Sequence, residues 1–291
     1  MKVGALAGHP PTLMLPRGQP TRSGLPSISN RIRPFRIGPL TFNFRRSSPV
    51  VVLLVSALAP GQKTPSESAP STRVPATPPA IVIGFVGGFI KHDNPVHSEV
   101  QLAARLRKEY PSGVEVETYE SYHRGLARAK VLAILDTDHD GKLSPREKQN
   151  AHIIIYGHSW GGSQAVALAR DLDRLGIPVL LTIQVDSVSR VHHNDAVIPA
   201  NVSEAANYYQ PSGLLHGQDK IRAADPAKTK ILGNFRFDYK SQHYNCDKYP
   251  WFDRWFAKTH TQIECDPTVW QRAEDLIRTK LPVTSASGPP H

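Results

Sequence analysis

The chain is 291 residues long and 40% hydrophobic, enough to bury the core of one full-sized α/β domain but not of a second large one. Its formal charge of +10 points to a nucleic-acid binder only until the charges are located. Residues 1–79 hold ten of the 35 Lys/Arg and, in Glu67, one of the 25 Asp/Glu; the remaining 25 basic and 24 acidic residues leave residues 80–291 near neutral, which excludes a basic nucleic-acid patch.

Residues 1–79 also hold 14 of the 26 prolines and are predicted to be disordered, because they carry too little apolar surface to offset the entropy of ordering. Within them Arg45-Arg46-Ser47-Ser48-Pro49 precedes the apolar run Val50–Ala59, which ends Ala57-x-Ala59. That is the layout of a secretory signal at about residues 45–59, too short for a membrane span. It predicts a secreted or periplasmic protein whose start lies downstream of Met1, with residues 60–79 as a flexible linker. The alternative is an isolated apolar patch in a disordered tail.

From residue 80 strands and helices alternate. Ala80–Val86 is a continuous apolar run that ends at Gly87-Gly88, and Glu99–Tyr110 has helical spacing. Gly113–Tyr119 alternates as a strand does, and a helix is expected over about 121–135. Then come the apolar run Ile153–Tyr156, a helix over Gly162–Leu175 and the run Val179–Val185. Residues 187–228 show no clear pattern and raise the question of a lid. Ile231–Phe237 gives the last strand and Pro267–Leu281 the last helix, with residues 282–291 as a disordered tail. Buried runs separated by amphipathic helices predict an α/β fold, a mostly parallel central sheet with helices on both faces.

In such sheets the ligand site lies at the carboxyl ends of the strands, where Gly157-His158-Ser159-Trp160-Gly161 falls, between a strand and a helix. A Gly-x-Ser-x-Gly turn there holds the serine in a strained conformation and exposes its Oγ at a helix N-terminus. On this motif residues 80–281 resemble the α/β-hydrolase superfamily, its lipase, esterase and thioesterase-like members. The resemblance implies a Ser-His-Asp triad with Ser159 as nucleophile, and an oxyanion hole from the backbone N–H of Trp160 and of Gly88 or Phe89. It places the histidine in a loop before the last helix, where His260 stands. Asp186 and Asp238 both end strands on the right edge; Asp186 is preferred as the acid because it follows a largely apolar run, and Asp238 is the alternative. His192, His193 and the other histidines match in residue type alone.

Cys246 and Cys265 flank the segment that carries His260. In an exported protein they can form a disulfide that limits its motion, or stay as two buried thiols. Between them Tyr249, Trp251, Phe252, Trp255 and Phe256 form an aromatic cluster that lines an acyl pocket or packs beneath the loop.

Asp136-Thr137-Asp138-His139-Asp140-Gly141-Lys142-Leu143-Ser144-Pro145-Arg146-Glu147 fits the EF-hand loop. Carboxylates fall at positions 1, 3 and 5, glycine at 6, the Lys142 carbonyl at 7, Ser144 at 9 and a bidentate glutamate at 12. One such loop predicts a structural Ca2+, and the other reading is a well-capped turn without metal. No organic cofactor is expected.

The sequence thus predicts a secreted serine hydrolase acting on a small-molecule or lipid ester or thioester, with no nucleic-acid partner, no membrane span and an oligomeric state it does not define. The alternatives are a calcium-dependent binding protein that keeps the scaffold without the chemistry, and an amidase or peptidase on the same fold.

Overall fold

The computed structural model describes residues 78–189, 194–241 and 243–282. The signal-like run, residues 60–77 of the linker, His192, His193 and all but the first residue of the C-terminal tail lie outside them.

Among the described residues six parallel strands form the central sheet. In chain order they are β1 (Ala80–Val86), β2 (Val114–Glu120), β3 (Ile153–His158), β4 (Val179–Val185), β6 (Val202–Tyr209) and β8 (Lys230–Arg236), arranged β2-β1-β3-β4-β6-β8. Two-residue strands β5 (Val197–Ile198) and β7 (Arg222–Ala223) pair separately. Helices α1 (Ser98–Glu109) and α7 (Pro267–Arg278) cover one face of the large sheet, and α2 (Arg124–Leu135) and α4 (Trp160–Asp173) cover the other. The short helices are α3 (Pro145–Gln149), α5 (Trp251–Phe256) and α6 (Lys258–Cys265).

Alternate residues of each central strand feed opposite faces, which is why these strands read as unbroken apolar runs. Val82, Ile154, Tyr156 and Ile183 meet Leu102, Leu106 and Trp270, whereas Ile81, Ile83, Phe85 and Ile155 meet Val131, Leu135, Val166 and Leu172. The crossovers between parallel strands place the loops after β1, β3 and β4 at one edge of the sheet.

Two features depart from the sequence reading. Residues 187–228, which show no pattern, contain β6, the strand between β4 and β8; its buried residues are Val202, the small Ala205 and Ala206, Asn207 and Tyr208 rather than a continuous branched apolar run. His260 lies on helix α6 instead of in a loop.

Cys246 and Cys265 form a disulfide across a sequence separation of 19. It ties the segment before α5 to the end of α6. Replacing both with serine is expected to lower unfolding free energy by about 3 kcal/mol, the loop-closure value for that length; urea unfolding of the full chain measures it, and an unchanged midpoint would contradict the expectation.

Candidate active site

The turn from β3 into α4 is built by exclusion. A Cβ on Gly157 would lie 2.4 Å from the Gly161 carbonyl carbon, one on Gly161 2.2 Å from the Phe85 carbonyl oxygen, and one on Gly162 2.8 Å from Ser187 Cβ. Backbone therefore meets backbone at Gly157 and Gly161, and the Ser187 side chain closes on Gly162; Ser159 itself has a φ of 55° and a ψ of −126°, where L-residues are strained. The Ser159 N–H donates to Val185 O (2.9 Å), and its carbonyl accepts from Gly162 (3.1 Å) and Val188 (3.1 Å). Trp160 opens α4, where first-turn N–H groups point out of the helix end.

Asp186 leaves β4 with a φ of 42° and is fully buried. His260 Nδ1 donates to its Oδ2 at 2.6 Å. The carboxylate also accepts from Gln210 Nε2 (2.9 Å), from the Gly217 N–H (2.8 Å) and from the Gln210 N–H (3.3 Å). Gly217 is required there, because a Cβ would come within 2.2 Å of the Asp186 carbonyl carbon. Asp238, the other strand-ending aspartate, stays at the surface, 3.4 Å from Arg236, and caps the turn at the Lys240 N–H (3.0 Å).

Ser159 and His260 line one cavity of about 190 Å³, with Gly88, Trp160, Ile90, Leu215 and Ala257 around them. Gly87 packs so close that a Cβ would meet Ser159 Cβ at 3.1 Å, and Gly88 turns with a φ of +48°. Ser121 Oγ donates to the Gly88 carbonyl at 2.8 Å, which fixes the planar peptide and turns the Phe89 N–H the opposite way. The exposed Phe89 ring stands edge-on to Trp160 at 5.3 Å. Of the aromatic cluster, Tyr249 is buried with its ring edge-on to His97 (5.1 Å), and Trp251 and Trp255 are exposed; none of these three lines the cavity.

Sequence spacing gave no sign of a second polar group behind Ser159. His97, Glu99, His158 and Glu264 are all buried there. His97 Nδ1 donates to Glu264 Oε1 (2.6 Å), and His158 Nδ1 faces Glu264 Oε2 at 3.4 Å and Glu99 Oε1 at 3.7 Å. Burial, reinforced by the Glu264 charge, raises the Glu99 carboxyl well above the usual range. Burial first, then His260 and His97, hold the His158 imidazole well below its ordinary value, so it is neutral. No pairwise spacing in the sequence joins residues 97, 99 and 264; only the approach of α6 to α1 does.

Away from the cavity the acidic loop joins α2 to α3. Asp136 accepts from the Asp140 (3.2 Å) and Gly141 (3.0 Å) N–H groups, and Gly141 has a φ of +78°. Carboxylate oxygens of Asp136, Asp138 and Glu147 lie within 4.8 Å of one another. Asp140 accepts from the Lys142 N–H. Glu147 and Ser144 complete a capping box on α3, and Glu147 also accepts from Thr137. The donor chemistry is all oxygen, as calcium requires.

No family model matches the chain, and no curated relative matches it. Solved structures similar to it include a thioesterase of the prodiginine biosynthetic pathway of Streptomyces coelicolor, at 11% identity and a TM-score of 0.33, covering 69% of this chain and 100% of that one. A thermostable esterase from Pseudomonas putida matches at 13% and 0.37, over 73% and 77% of the two chains. A dienelactone hydrolase from Anabaena variabilis matches at 12% and 0.35, over 70% and 86%. At these values the likeness reaches neither a substrate nor the role of any residue.

Proposed function

We propose that the chain is a serine hydrolase of carboxylic esters or thioesters, and the observation that carries this is the buried Asp186–His260 contact of 2.6 Å beside Ser159 in one cavity. Ser159 Oγ attacks the acyl carbon while His260 Nε2 takes its proton and then passes it to the leaving alcohol or thiol. Asp186 remains ionised, holds the Nδ1–H tautomer and stabilises the imidazolium. The Trp160 N–H, with that of Gly88 or Phe89, faces the oxyanion, and Ser121 sets the orientation of the Gly88–Phe89 peptide. Water then resolves the acyl-enzyme by the same steps in reverse roles.

The cavity is smaller than the ~300 Å³ at which drug-sized pockets begin, and Ile90, Leu215 and Ala257 give it apolar walls. Short acyl groups fit it. The disulfide suits an oxidising compartment, in keeping with the signal-like run and a secreted or periplasmic location. A calcium ion held by Asp136, Asp138, Asp140, the Lys142 carbonyl, Ser144 and Glu147 would brace the connection from α2 to β3.

Fluorophosphonate labelling and p-nitrophenyl ester turnover test the chemistry. Labelling should vanish in Ser159→Ala. Asp186→Asn should lower kcat by about 10⁴-fold, whereas Asp238→Asn should stay near the wild type, and butyrate should be turned over faster than palmitate. A folded wild type that neither labels nor hydrolyses would favour a binding protein, and anilide turnover without ester turnover would favour an amidase.

Gly217→Ala, which displaces the backbone of Asp186 without removing any triad atom, should lower kcat by about 10²-fold with near-ultraviolet circular dichroism retained; unchanged kcat would refute that role. For the loop, calcium at 100 times its Kd should stabilise the fold by about 2.7 kcal/mol, read as a thermal shift. Asp136→Asn with Glu147→Gln should abolish it, and a wild type with no shift would leave a capped turn without metal.

A further inference from the structure

The loop after β1 is held from one side by the end of β2. In the parallel register Val86 pairs with Glu120, so the residues just beyond the two strands meet. Gly87 O accepts from the Ile90 N–H at 3.3 Å, which closes a turn around Gly88, with its φ of +48°, and the exposed Phe89. A turn of that composition keeps one shape only where other groups tether it, because glycine has the most conformational freedom to lose. Two tethers come from consecutive residues. Ser121 Oγ donates to the Gly88 carbonyl at 2.8 Å. Glu120 Oε1 accepts from both the backbone N–H (3.2 Å) and the ring Nδ1 (2.9 Å) of His92, 28 residues away. Its other oxygen accepts at 2.8 Å from Nδ1 of His123, the N-cap residue of α2. An ionised carboxylate only accepts, so both rings carry a proton on Nδ1. Burial pushes the Glu120 carboxyl up, but the hydrogen bonds, that of the His92 ring first, outweigh it and bring the group down to about 2. Glu120 is thus charged throughout the neutral range.

We propose that Glu120 is a positioning residue for acyl transfer: with Ser121 it clamps the loop after β1 at Gly88 and at His92, and so aims the N–H groups of Gly88 and Phe89 at the oxyanion. This rests on the hydrolase reading above and assigns the shape of the loop to a side chain that does not itself line the cavity. Ser121 alone fixes one carbonyl, about which the following peptides can still swing. The second anchor at His92 closes residues 88–92 into a short arc, and Ile90, a wall of the cavity, sits in its middle. Hydrogen bonds to a carboxylate are about twice as strong as those between neutral partners. Glu120 is also buried, so water competes little for its oxygens. Donors held in place stabilise the transition state because they need no reorientation as charge develops. Loosening the arc therefore weakens binding of the oxyanion more than binding of the substrate.

The test uses the full chain, with p-nitrophenyl butyrate as substrate and a short alkylboronic acid, which forms a tetrahedral anion on Ser159, as the transition-state analogue. Glu120→Gln keeps the shape and removes the charge, whereas His92→Ala removes the ring bond and leaves the backbone one. Each should lower kcat by about 10–100-fold, the upper figure being the cost of a misplacement of about 1 Å, with KM unmoved. Affinity for the boronic acid should fall by the same factor as kcat/KM. His92→Asn, whose side-chain N–H takes the place of Nδ1–H, should restore most of the rate, a recovery that a purely structural role would not give. Amide exchange of residues 88–92 should quicken in Glu120→Gln while that of β3 stays slow. An active wild type whose kcat survives both Glu120→Gln and His92→Ala would overturn the clamp and leave the hydrolase reading standing, as would a loss confined to KM. A wild type that neither labels with fluorophosphonate nor hydrolyses the ester would overturn that reading and the clamp with it. If Glu120→Gln fails to fold, His92→Ala and His92→Asn decide, since the His92 side chain is 51% exposed.

Discussion

Backbone packed on backbone at the turn after β3 constrains nearly everything else at the carboxyl edge of the sheet. Phe85 of β1 lies so close to Gly161 that no side chain fits between them, and this contact presses α4 against the sheet while Ser159 is held at a positive φ. Such a conformation costs about 1–3 kcal/mol and persists only where its surroundings over-determine it. Here they do, because the serine N–H is bonded to β4 and its carbonyl to both α4 and Val188. The neighbouring loops must then be small where they meet it, as Gly87 and Ser187 are.

The same edge sorts its charges by how well they are satisfied. Asp186 is as buried as Glu99, yet its carboxylate accepts four hydrogen bonds, three from Gln210 and Gly217 in the loop after β6 and one from His260. A carboxylate so supplied is fixed in place and holds the His260 ring in one orientation. Glu99 has no such donors, and its charged form is penalised accordingly. Two acids of equal burial are thus held differently, and the difference lies in the backbone N–H groups and the amide around Asp186 rather than in residue type.

The central strands were readable from the sequence because each is buried on both faces, which leaves an unbroken apolar run. β6 was not, since Ala205, Ala206 and Asn207 fill three of its five buried positions and carry little β signal. Helix α6 was read as a loop for a related reason: its buried residues include His260, Thr261, Gln262 and Glu264, polar groups satisfied by partners far along the chain. The elbow motif is local and therefore legible. Choosing between Asp186 and Asp238 by position alone left both open, because each ends a strand; the partners that distinguish them, Gln210 and Gly217, lie 24 and 31 residues beyond Asp186. His97, Glu99 and Glu264 share no spacing at all, so only the fold brings them together.

These separations also impose an order on biosynthesis. The Asp186–His260 contact spans 74 residues and the His97–Glu264 contact 167, and both close only when α6 reaches the sheet. α6 sits near the end of the described chain, followed by α7, which packs against α1 through Trp270 and the Arg105–Glu274 ion pair. The sheet and the elbow can therefore be translated and aligned before His260 reaches the cavity. A nascent or truncated chain ending before residue 258 would present the strained Ser159 turn with neither contact made, and the cavity beside it would stay open until the last helices dock.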